Sequence, residues 1–151
     1  IGHVPFARLF EGCPRPGETI TVRSPPGNPH SGPGGYLELA ERRGQGTLRL
    51  QGWASAGAQV PTCVAFASER GVVRGVAAIG YPRPDVAETT PGVTRLDTGW
   101  RGYAAIRPDD AKLEVLLLPA PPGPWFRLRG AAVLTRGEDG NTEPRLVEHN
   151  W

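Results

Sequence analysis

Apolar and polar residues alternate along most of this chain in short runs, each bounded by Gly, Pro, Asn or Asp. Leu37 and Leu39, Leu48 and Leu50, Val64 and Phe66, Leu113, Val115 and Leu117, and Phe126 and Leu128 recur at a spacing of two. That spacing puts each set on one face of an extended strand. Breakers at intervals of about eight to twelve residues separate the runs, as expected for half-buried antiparallel strands. The pattern predicts strands at 19–23, 36–42, 47–53, 62–67, 72–79, 100–106, 112–118 and 125–134, with 145–151 returning as a last edge strand. Helical periodicity is nearly confined to residues 82–88, where Pro suits a first turn and acidic residues suit a helix N-terminus. The expected fold is all-β: an antiparallel β-sandwich, Ig-like or jelly-roll-like, with two facing sheets.

The stretch SPPGNPHSGPGG at 24–35 cannot hold a ladder, because its four Pro lack the donor and its Gly are entropically costly to fix. Residues 1–35 therefore read as a Pro/Gly-rich N-terminal arm or linker packed on a sandwich domain of residues 36–151. A second Pro-rich break at 119–124 predicts a turn, and 135–144 reads as a charged, turn-like tail.

A length of 151 residues fits one domain. With 21 Gly and 17 Pro the chain borders on disorder-prone composition, but its apolar residues are gathered into β-rich runs, which argues for a packed core. Seventeen basic and 15 acidic side chains are interspersed, for a net charge of +2, so no single-sign field exists to hold a nucleic acid. The longest apolar run, at 113–120, is interrupted by Glu114 and Pro119 and is far short of a membrane span, so no transmembrane segment is expected in this chain. The absence of Met, even at position 1, predicts a processed product or a piece of a longer protein. Cys13 and Cys63 suit a disulfide in an oxidising compartment; the other reading is two unrelated buried thiols. A bridge closing about 50 residues would contribute about 4 kcal/mol and tie the arm to the core.

The middle of the chain carries Gly52-Trp53-Ala54, then a hairpin over 63–79 turning at Glu69-Arg70-Gly71. Gly80-Tyr81-Pro82-Arg83-Pro84-Asp85-Val86-Ala87 and Thr98-Gly99-Trp100-Arg101-Gly102 follow. This order resembles an Ig-like β-sandwich module of bacterial extracytoplasmic proteins, in which a "GWA" strand precedes a hairpin, "G-x-x-RPDVA" and then "SGW". The resemblance covers residues 47–118, about half the chain, and the arm with Cys13 departs from the pattern. It implies an appendage without a catalytic centre, outside the membrane, as in the soluble C-terminal regions of glycosyltransferase-type membrane proteins and in segments of cell-envelope proteins.

Several chemistries were weighed against the residues. Asp85, Asp97, Asp109, Asp110 and Glu114 offer carboxylates for sugar hydrolysis, but as solvated turn acids they have a plainer account. His3, His30 and His149 lie in the arm, the loop and the tail, so no metal site is expected, and no Ser sits in a nucleophile elbow. No catalytic residue, metal ligand or cofactor is therefore assigned. Aromatic rings remain: Trp53, Trp100, Trp125 and Trp151, with Tyr36, Tyr81 and Tyr103, offer a flat face on which sugar C–H groups pack while hydroxyls bond to Arg or Asp. Trp125 in the Pro-Gly-Pro-Trp turn, with Arg127 beside it, is the leading platform, whereas Trp53 and Trp100 read as core. Tyr81, Arg83 and Asp85 in the RPDVA segment form either a ligand-contacting loop or a rigid corner, in which Asp85 caps the helix and Arg83 pairs with a carboxylate such as Asp97. The expected function is a non-catalytic, glycan-binding accessory domain of a larger bacterial membrane or cell-envelope protein, periplasmic, cell-surface or secreted. The alternative is a structural or protein-interaction module packing on a membrane-embedded glycosyltransferase-type partner, and an independent glycoside hydrolase is the least favoured.

Overall fold

The computed structural model describes residues 12–22 and 32–148. Eight strands follow one another: β1 (Gly34–Arg42), β2 (Thr47–Ser55), β3 (Cys63–Ser68), β4 (Val73–Tyr81), β5 (Gly99–Ala105), β6 (Lys112–Leu118), β7 (Phe126–Arg136) and β8 (Thr142–Val147). A single short helix, α1 (Pro84–Thr89), lies between β4 and β5. The all-β expectation therefore holds, and most strands lie within two residues of the runs predicted by alternation.

The sandwich does not. The strands form one sheet in the order β1-β2-β5-β4-β3-β6-β7-β8, and β1 pairs with β7 through Tyr36 and Arg129, closing seven strands into a barrel with β8 as an addition on β7. The closing pair is parallel while every other pair is antiparallel. The order β6-β3-β4-β5 within it is a Greek key. A closed sheet and two facing sheets impose the same alternation of inward and outward side chains, which is why the pattern alone favoured the wrong one.

Two further expectations change. Residues 19–23 do not form a strand: Thr19 makes one isolated bridge to Val72, and Arg23 lies outside the described residues. The charged tail is largely strand, because β7 runs through Arg136 and β8 begins at Thr142, leaving a tight turn between them. Cross-strand pairs from Ala131–Val147 to Arg136–Thr142 outweigh the turn-like composition there.

The barrel interior holds Leu37, Leu48, Leu50, Val64, Phe66, Trp100, Leu113, Val115, Leu117 and Leu128. Trp100 is fully buried, its ring centroid 5.6 Å from that of Phe66. Two smaller apolar clusters lie on the outer surface. On one side, residues 12–22 cover β3 and β6, where Ile20 packs on Ala65, Val73 and Leu116. Backbone bonds from Gly17 N–H to Val73 O and from Ile20 N–H to Gly71 O hold this segment, and the Cys13–Cys63 disulfide, with Cα atoms 5.4 Å apart, clamps its end. All six residues of β3 are buried, because its inner face is barrel core and its outer face lies under the segment. On the other side Val86 of α1 and Val93 cover Trp53, whose ring centroid is 5.6 Å from that of Tyr36.

Candidate functional site

The outer face of β4, β5 and β2 has neither cover. In β5, Trp100, Gly102 and Ala104 alternate with Arg101 and Tyr103, so a buried Trp100 places Arg101 and Tyr103 outside. The register sets Tyr103 opposite Arg49 of β2, and Arg101 between Gln51 of β2 and Ala78 of β4. Tyr103 is 59% exposed, an unusual state for a large ring in mid-strand of a central strand.

Tyr81 joins this face through a bulge. Ile79 pairs with Trp100 and Tyr81 with Gly99, so Gly80 is an extra residue without a partner. Its φ of +118° is open to Gly and closed to other residues. In a regular strand Tyr81 would share the inward face of Ile79; the inserted residue reverses that parity. The Arg101 guanidinium then lies 4.2 Å from the centroid of the Tyr81 ring, stacked on it. A shallow depression of about 500 Å³ results, lined by Arg49, Val76, Ala78, Tyr81, Arg101 and Tyr103.

Arg49 is held in place across the strands. It donates to Gln51 Oε1 at 2.9 Å and to Glu41 Oε1 at 3.2 Å, and the same Glu41 oxygen accepts from Arg43 at 2.6 Å. Among the described residues no carboxylate bonds to Arg101.

The five residues singled out from the sequence fall at three places. Tyr81 belongs to the face just described. Arg83 and Asp85 form an ion pair at the start of α1, with Arg83 Nε and Nη2 at 3.0 and 2.9 Å from the Asp85 oxygens, and Arg83 also reaches Glu38, the bulged residue of β1. Arg83 is thus paired with Asp85 and Glu38 and not with Asp97, which is taken by Arg95 at 2.8 Å. Asp85 is not the helix cap either: Arg83 occupies that position, without a side-chain cap, and Asp85 lies inside the first turn. Trp125 is half-buried and lines a groove with Cys13, Pro14 and Leu118 under the covering segment. Arg127 next to it bonds to Glu114 at 3.1 Å and to the Val22 carbonyl at 3.1 Å. The groove at Trp125 is separate from the β4-β5-β2 face, whereas the pair at α1 borders it, with Arg83 Cγ 3.1 Å from where a Cβ on Gly99 would stand. The three histidines lie outside the described residues.

The carboxylates weighed for hydrolysis are each engaged by cations. Hydrogen bonding to Arg83, Arg95 and Arg70 holds the Asp85, Asp97 and Asp109 carboxyls respectively below the usual carboxylate range. Asp110 is fully buried and accepts two bonds of 2.9 Å from Arg74 and one from the Arg107 N–H, which pins the turn before β6. Among the described residues no group of His, Cys, Asp and Glu has a metal-binding arrangement, and no helix is long and apolar enough to cross a membrane.

Sequence reasoning missed Arg101 and named Tyr103 only as one of several rings, although the alternation W-R-G-Y-A carried both: with Trp100 assigned to the core, Arg101 and Tyr103 must face outward. No protein-family model, characterised protein or solved structure matches this chain.

Proposed function

We propose that this is a non-catalytic domain that binds glycan outside the cytoplasm, as an accessory part of a larger bacterial membrane or cell-envelope protein. The observation that carries the reading is the open face of β4, β5 and β2, where the Tyr103 ring stands exposed beside Arg49, Gln51 and the Tyr81–Arg101 stack. An exposed aromatic ring edged by guanidinium and amide donors suits a sugar ring, whose C–H groups pack on the aromatic while its hydroxyls accept from the donors. The face sits on three paired strands of a rigid barrel, so little ordering is needed on binding. An oxidising compartment is supported by the Cys13–Cys63 disulfide. The Arg partners of Asp85, Asp97, Asp109 and Asp110 favour a structural account of those acids over bond-making chemistry.

The test is retention on a panel of immobilised neutral and acidic envelope polysaccharides, with Tyr103→Ala as the diagnostic variant. Wild type is retained and Tyr103→Ala is not, while the two melt at the same temperature. Retention unaffected by the substitution, or absent for every polysaccharide in the wild type, overturns the reading.

A further inference from the structure

We infer that the β4-β5-β2 face selects an acidic glycan, with a carboxylate-bearing sugar stacked on Tyr103 and its carboxylate bound by Arg101; this rests on the glycan reading above. The charge on the face is unbalanced. Arg43, Arg49 and Arg101 border it, and Glu41, whose one oxygen is shared by Arg43 and Arg49, answers the first two, while Glu38 and Asp85 at its edge are taken by Arg83.

Arg101 is set up as an anion receptor. Its guanidinium carbon lies over the Tyr81 ring, 4.2 Å from the centroid, which holds the group on the face, yet its N–H donors have no carboxylate partner among the described residues. A stacked guanidinium with a free edge presents a fork that matches a carboxylate in bidentate fashion. The bulge at Gly80 leaves Tyr81 on the outer face, where it meets Arg101.

The spacing suits one sugar unit. Arg101 and Tyr103 are two residues apart on β5, so their Cα atoms stand about 7 Å apart along the strand. That is the scale of a pyranose ring with an exocyclic carboxylate. Arg49, directly across from Tyr103 on β2, stands beside it and donates to Gln51, the neighbour of Arg101. The depression is broad and shallow, which fits a chain lying over the surface better than a small molecule enclosed by it.

Polygalacturonate and its fully methyl-esterified form carry the same backbone with and without charge, and poly-glutamate carries the charge without the sugar. Titrated at low and high salt, the wild type binds polygalacturonate at least about tenfold more tightly than the ester, a margin set by one charge-assisted bidentate bond, and the margin narrows with salt. Arg101→Gln abolishes the margin, so that the variant binds polygalacturonate no more tightly than it binds the ester, with the melting temperature in place. Equal binding of acid and ester by the wild type overturns this inference and leaves the glycan reading standing. Binding to neither overturns this inference, and it overturns the glycan reading as well when no polysaccharide of the panel is retained. Poly-glutamate bound as tightly as polygalacturonate overturns it in favour of an acidic peptide partner.

Discussion

Trp100 shows how single residues set the geometry of this barrel. Its ring fills the interior only because the flanking positions carry no side chain. A Cβ at Gly52, its cross-strand neighbour, would meet Trp100 Cζ2 at 2.8 Å and the Tyr36 carbonyl oxygen, and one at Gly102 would meet Phe66 Cε2 at 2.8 Å. The pairs Gly52-Trp53 and Gly99-Trp100 were visible in the sequence; the reason for their glycines was not, because Gly52 answers to Tyr36 and Trp100, and Gly99 to Tyr81 and Arg83, on other parts of the chain. Gly102→Ala is expected to cost about 1–3 kcal/mol by overpacking, whereas Tyr103→Ala next to it stays within about 0.5 kcal/mol of wild type. Urea unfolding of the two variants checks the contrast, and similar losses for both contradict it. The exposed ion pairs give a second expectation at this scale. Asp85, Asp97 and Asp109 titrate lower in the folded protein than in the unfolded chain, so their pairs contribute stability above the unfolded value of about pH 4. That contribution is lost as pH falls through the folded values. Thermal unfolding is therefore level from about pH 7 to 5 and declines below about pH 4; a melting temperature that rises on acidification contradicts these pairings.

Two elements depend on features that local pattern conveys only in part. The turn at Glu69-Arg70-Gly71 was legible, because Gly71 at φ +80° is what such a hairpin requires. The bulge at Gly80 was not, since nothing in the run Ala77-Ala78-Ile79-Gly80-Tyr81 tells an inward from an outward tyrosine until the pairing with β5 is known. A Cβ at Gly80 would meet nothing within 4 Å, so the cost of Gly80→Ala is a backbone cost alone, about 1–3 kcal/mol. Deleting Gly80 removes the bulge and sets Tyr81 directly after inward-facing Ile79, where alternation still points it outward opposite Gly99 and keeps the Arg101 stack. Retention of polygalacturonate by the deletion variant at the wild-type level is the expected outcome, and its loss contradicts this parity. The segment at 12–22 shows a different limit: its Cys was legible, but its mode of attachment was not. It is held by two cysteines, short backbone bonds and Ile20, with no strand ladder. Replacing both cysteines by Ala is expected to lower stability by about 2–5 kcal/mol and to increase binding of a hydrophobic dye as Ala65, Val73 and Leu116 become uncovered. Unchanged stability and dye binding contradict the clamp.

At the scale of the whole molecule, strand positions and the all-β class follow from alternation, but closure does not. Closure rests on the single parallel contact between Tyr36 and Arg129, which are 93 residues apart in the chain, and on inward-facing residues that meet across a barrel instead of between sheets. Outside the barrel the chain covers two of its apolar surfaces itself, with residues 12–22 and with α1, and leaves the β4-β5-β2 face open. That division between covered and open surface is the basis for assigning binding to the open one. Backbone amide shifts on addition of oligogalacturonate test it most directly. The account predicts perturbations concentrated at Arg49, Gln51, Ala78, Tyr81, Arg101 and Tyr103. Perturbations centred instead on Trp125 and Arg127, or none at saturating oligosaccharide, would contradict it.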